Sequence, residues 1–97
     1  MRFIVRVELH NANRHQYDQL HAVMHTNGFG SQIQADTGAW YHMPPAEYLY
    51  EGTLAVAAVR DLAARCAQSV VPGVAVFVTQ SAGPLAWYGL ELVQKAA

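Results

Sequence analysis

Five histidines stand out in a chain with few other ionisable groups: His10, His15, His21, His25 and His42. Imidazole titrates near neutrality, so each could take or give a proton under physiological conditions. His10 has Glu8 and Asn11 close by in sequence. It could act as general base on a ribose 2′-hydroxyl, or as general acid on a leaving oxygen. The plainer account makes it a solvated turn residue, since spacing fixes no second catalytic group. His21 and His25 lie four apart, one above the other on a helix, a spacing that can supply two metal ligands. The glutamate of a His-Glu-x-x-His motif is missing, and the lone Cys66 cannot complete a structural zinc site, so no metal is expected. Asp18, three residues before His21, offers that histidine a surface carboxylate partner instead.

Other chemistry-bearing patterns are weaker. Trp40, Tyr41, Tyr48 and Tyr50 could stack on bases, as the aromatics of open-sheet RNA modules do. The stretch Glu47-Tyr48-Leu49-Tyr50-Glu51 lacks the basic-glycine-aromatic pattern of such modules, and its glutamates repel phosphate, so core and interface packing is preferred. Gly28-Phe29-Gly30-Ser31 follows a helix and precedes a strand, the wrong order for a phosphate-cradling loop. Cys66 falls on an apolar stripe and is expected to be inert.

The elements that must position these groups begin with Arg2 to Leu9. Phe3, Val5, Val7 and Leu9 alternate with Arg2, Ile4, Arg6 and Glu8, the period of a strand covered on one face. Tyr17, Leu20, Val23 and Met24 then recur at helical spacing. Asn13 with Gln16 predicts a reciprocal N-terminal cap, and Asn27-Gly28 predicts the stop after His25 or Thr26. Phe29 to Ala35 reads as strand, Asp36-Thr37-Gly38 as turn, and Trp40 to Met43 as the returning arm, ended by Pro44-Pro45. Ala46 to Gly52 is the third strand. Thr53 is the expected cap of a helix over 54–69, with Ala55, Val59, Leu62, Ala63, Cys66 and Val70 inward and an Asp61–Arg65 ion pair outward. The apolar run Val74 to Thr79 predicts a strand buried on both faces.

The order β-α-β-β-α-β predicts an α+β fold of the ferredoxin-like kind: a two-layer sandwich with both helices on one sheet face and strands one and three central. One domain is expected over 1–97, with a core at 1–80 and a C-terminal extension at 81–97. Trp87, Tyr88 and Leu90 in that extension suit a strand added across a dimer.

Charge is scarce, at 13% of 97 residues against roughly 25% in a typical soluble domain. Such a shortage in a small domain points to surface hidden from water, hence a homodimer. Net charge is −1 with six scattered Lys and Arg, which argues against a tight sequence-independent grip on a phosphate backbone. No apolar run reaches the ~18 residues of a membrane span, and no hydrophobic signal segment opens the chain. With a single cysteine, these features predict a cytoplasmic protein.

Tyr17…Leu20…Met24…Gly28-Phe29, then Ile33-Gln34-Ala35-Asp36-Thr37-Gly38, then Ala57-Ala58-Val59-Arg60-Asp61-Leu62…Cys66 resemble the GhoS-type antitoxins of type V toxin–antitoxin systems. The likeness runs from about residue 3 to 79. It implies a ferredoxin-like fold similar to the small CRISPR adaptation nuclease subunit, and a sequence-selective endoribonuclease acting on a toxin transcript. Where the related CRISPR subunits carry a metal-holding aspartate after the first strand, this chain has Glu8-Leu9-His10. Where the antitoxin pattern carries basic residues on the first helix, it offers Arg14 and His21.

Two expectations follow. In one, the protein binds or cleaves single-stranded RNA, with His10 or His21 in proton transfer, Arg14 and Arg6 on phosphate, and no cofactor. In the other, the same scaffold is a non-catalytic homodimeric module that holds a protein partner through its open sheet face, the Trp40–Met43 loop and the tail.

Overall fold

The structure is a computed structural model, which describes residues 1–93. Its elements are β1 (Arg2–Leu9), α1 (Arg14–Thr26), β2 (Gln32–Gln34), β3 (Trp40–His42), β4 (Glu47–Glu51), α2 (Val56–Gln68) and β5 (Val74–Ser81). The fold is α+β. Both β4 and β5 run antiparallel to β1, giving a three-stranded sheet of order β4-β1-β5, while β2 and β3 form a separate hairpin.

β1 is the axis of the molecule, and its alternation decides which face is covered. Phe3, Val5, Val7 and Leu9 are buried, together with Leu20 and Met24 of α1 and Val59, Ala63, Cys66 and Ala67 of α2. Burying such side chains contributes about 1.5–3 kcal/mol each for the larger ones. Ala63 and Ala67, fully buried, let α2 approach the sheet closely. Tyr48 of β4 and Phe29 complete the core, with Tyr50 tilted against both Phe3 and Phe29.

The first helix follows its sequence signals closely. Asn13 and Gln16 form the reciprocal cap, each side chain accepting from the other's backbone N–H at 2.9 Å. At the other end Gly28 takes φ +89°, and the N–H groups of Phe29 and Gly28 reach the carbonyls of Met24 and His25. That is the paired-bond stop which glycine allows at no steric cost.

Four expectations need correction. The second helix is capped at Ala55, without a side-chain hydrogen bond, so Thr53 lies outside it. Asp61 pairs with Arg60 rather than Arg65, at 2.9 Å between two exposed side chains. β5 is covered on one face only: Val74, Val76 and Val78 are half-buried beneath α2, whereas Ala75, Phe77 and Thr79 are exposed. Its apolar outer residues made a one-sided strand look two-sided. Finally, the strand expected over Phe29 to Ala35 is shortened to Gln32–Gln34. The chain bends at Gly30-Ser31, and Ile33 is buried outside the main cluster.

Beyond β5 the tail crosses to the hairpin. Glu91 O accepts from His42 N, and Val93 N donates to Trp40 O, both at 2.9 Å, so the tail is added to β3 of its own chain. Residues 94–97 of the expected extension lie outside the described residues. Among the described residues, no helix is long and apolar enough to cross a membrane.

Candidate functional site

A cleft of about 550 Å³ opens where α1, the hairpin, β4 and the tail converge. Its walls carry the groups with most chemistry in the molecule: His21, His42, Tyr48, Glu47, Glu91 and Ser31. Each arrives on a different element. His21 sits one residue beyond the buried Leu20, which turns it toward β4 instead of water. Tyr48 stands opposite Val5 on the covered face of the sheet, so its hydroxyl must find a partner among the helices. It finds His21: Nδ1 and the Tyr48 hydroxyl are 2.6 Å apart, with the rings tilted at 55°.

Burial pushes the Tyr48 hydroxyl well above the ordinary range of a phenol, and the neighbouring Tyr17 adds to the effect. The phenol therefore keeps its proton, and can donate it to Nδ1 when His21 is the neutral Nε2–H tautomer. When the ring is protonated, Nδ1 donates to the phenol oxygen instead. In both cases Nε2 carries a proton and is the nitrogen left for another partner.

The floor of the cleft is the turn Pro44-Pro45-Ala46-Glu47. Glu47 N donates to Pro44 O at 3.1 Å, and Ala46 takes φ +58°, the positive value that the third residue of a type II turn requires. Glycine is the usual occupant, and a non-glycine residue in left-handed backbone costs about 1–2 kcal/mol. Val7 N donates to Ala46 O, fixing this strained turn to β1. His42, placed just before the prolines, is exposed at the cleft rim.

The expected site residues scatter around this centre. His21 belongs to it. His10 does not: it sits past the far end of β1, 3.5 Å from Glu8, with its backbone N–H bonded to Gly73. The expected Asp18–His21 pair gives way to His21–Tyr48, because the helix turns His21 toward the sheet. Arg6 lies in a neighbouring depression with Glu8 and Tyr17, across the Pro45-Ala46 ridge, and reaches Glu47 at 3.5 Å. Arg14 is exposed at the first position of α1. Of the tail residues, Trp87 packs against Tyr41 at 5.8 Å, Leu90 lines the cleft, and Tyr88 is 92% exposed. Among the described residues no three His, Cys, Asp or Glu side chains come together as a metal site.

No family model, curated protein or solved structure matches this chain. The geometry of the cleft therefore stands alone as structural evidence about function.

Sequence reasoning missed His42, Glu91 and the role of Tyr48. Only Tyr48 had a readable signal. It shares a parity with Tyr50 on the covered face, and a buried phenol needs a hydrogen-bond partner. His42 and Glu91 meet only because the tail folds back on β3.

Proposed function

We propose that this protein is an RNA-directed endoribonuclease of the antitoxin type on a ferredoxin-like scaffold, with its proton-transfer centre at His21 and His42. The observation that carries the reading is the 2.6 Å contact between His21 and the buried Tyr48 hydroxyl, in a cleft that also receives His42. A fixed imidazole with Nε2–H free, sharing one cleft with a second and exposed imidazole, supports reading the two as an acid–base pair. His42 takes the proton of a ribose 2′-hydroxyl, whose oxygen attacks the adjacent phosphorus. The bond from phosphorus to the 5′-oxygen breaks, and protonated His21 gives that oxygen its Nε2 proton while Nδ1–H stays on Tyr48. The products are a 2′,3′-cyclic phosphate and a 5′-hydroxyl. Tyr48 is a positioning residue.

The scaffold assignment rests on the central β1, the two helices on one sheet face, and the backbone bonds Gly30 N to Leu49 O at 2.7 Å and Leu49 N to Gly30 O at 2.8 Å. Those bonds bring the chain before β2 alongside β4. Arg6, one ridge away, is the cation this reading assigns to a phosphate.

The test is cleavage of a mixed single-stranded RNA by purified protein, with and without EDTA. Cleavage is expected to disappear in His21→Ala and His42→Ala, to fall in Tyr48→Phe, and to persist in His10→Ala and in EDTA. Activity equal in all variants, or loss confined to His10→Ala, would overturn the assignment of the centre. Intact RNA throughout would replace the nuclease by the non-catalytic module. The Glu47 and Glu91 carboxylates in the same cleft favour that alternative, since they suit a cationic protein segment.

A further inference from the structure

We infer that β5 is a self-pairing edge, joining two copies of this chain into one continuous six-stranded sheet about a two-fold axis centred on Phe77. This inference is independent of the cleft.

Hydrogen-bond parity shows which backbone groups of β5 are free. His10 N donates to Gly73 O at 2.8 Å, and the pairing places His10 opposite Gly73 one step beyond Leu9 opposite Val74. Antiparallel pairs alternate, so Ala75, Phe77, Thr79 and Ser81 direct their backbone groups at β1. On the other side of β1 the complementary set bonds β4, as Val7 N to Ala46 O shows. Val74, Val76, Val78 and Gln80 therefore aim one N–H and one C=O each outward. Among the described residues these eight groups have no backbone partner.

Two other strands are each met on their outer side at one bridge. β4 is met by Gly30 and β3 by the tail at Leu92. Among the described residues β5 is left bare along eight residues, Val-Ala-Val-Phe-Val-Thr-Gln-Ser. It has no proline, no lysine and no charge, the devices by which exposed edges usually discourage pairing. With no charge on the strand, nothing on it repels a second copy.

Self-pairing is antiparallel under a two-fold axis, and one register uses every free group. Val74 then meets Gln80 of the second copy and Val76 meets Val78, each pair exchanging two hydrogen bonds. That register puts Phe77 opposite Phe77 as the closely spaced, non-bonded pair. Phe77 is 70% exposed on the open sheet face, next to Arg6 in the register. The largest exposed side chain of the strand and its free backbone groups thus select the same alignment.

Sedimentation across micromolar concentrations tests this on the full chain. The expected species has twice the 10.7 kDa chain mass. Phe77→Lys sets two like charges opposite each other and is expected to weaken the dimer roughly tenfold or more. Val78→Pro deletes an outward N–H while sparing the β1 ladder, and is expected to act in the same direction. Phe77→Cys is expected to give a disulfide-linked dimer on mild oxidation, with Ala75→Cys giving much less. A monomeric wild-type chain would overturn the inference, as would a dimer that Phe77→Lys leaves intact while circular dichroism shows it folded. If Val78→Pro fails to fold, Phe77→Lys and the cysteine pair decide alone.

Discussion

At the residue scale, Tyr48 connects stability to the site. Its ring is buried, and its hydroxyl ties His21 to the sheet by a 2.6 Å hydrogen bond. Because burial raises its titration, folded Tyr48 stays protonated above pH 10, the ordinary value at which the unfolded phenol begins to ionise. The unfolded state then binds fewer protons than the folded one, so stability falls as pH rises. The stability that the neutral phenol contributes is complete below pH 10 and is lost above it, at about 1.4 kcal/mol per pH unit. Tyr48→Phe should remove this one-proton slope from denaturant midpoints measured between pH 9 and 11, and should cost about 1 kcal/mol at neutral pH through the lost hydrogen bond. An unchanged alkaline slope would place the Tyr48 hydroxyl in contact with water. The position of Tyr48 shows that a buried phenol needs a partner, but not which partner it finds. The residue reads as core, and its polar end acquires meaning only when α1 delivers His21 to it.

At the element scale, local signals were most reliable where a backbone requirement has few chemical solutions. Asn13 with Gln16, and Gly28 after Asn27, fixed both ends of α1 because caps are satisfied within a few residues. The start of α2 was misplaced for the converse reason. Thr53 is a good cap by type, but the extended backbone falls at Ala55, which has no acceptor to offer. The first turn of α2 also lacks an acidic residue. Ala55→Asp would supply both the cap and a charge that suits the helix dipole, and should raise stability by about 1 kcal/mol in chemical denaturation. No gain would mean that the first turn frays. The burial of β5 was misread because an uncovered edge strand with an exposed apolar face has the same composition as a central one. Sequence pattern reports hydrophobicity, and the neighbour that would bury it can belong to another molecule.

At the scale of the whole molecule, charge limits what RNA recognition can be. Six Lys and Arg are present, and three of the described ones are engaged: Arg2 with Ser81 and Gly83, Arg6 with Glu47, Arg60 with Asp61. Arg14 and Arg65 have no ion pair among the described residues. On the proposed reading a strand of RNA exchanges Glu47 for phosphate at Arg6 and takes Arg14, exposed at the start of α1, as its second contact. Each releases about 0.7 counterion from single-stranded RNA, so log affinity against log salt should have a slope near about −1.4. Arg14→Ala should flatten it by about 0.7, whatever the RNA sequence. Even all six cations could reach only about −4, so a steeper slope would exclude a single chain as the binding unit. Self-pairing through β5 makes a sharper prediction. Two clefts would then lie on one sheet, and an RNA long enough to span both should show a slope near about −2.8, while a short one keeps the single-cleft value. Val78→Pro, which separates the copies without touching a cation, should return the long RNA to the shallow slope. Equal slopes for both lengths in the wild-type chain would mean that the two clefts act separately.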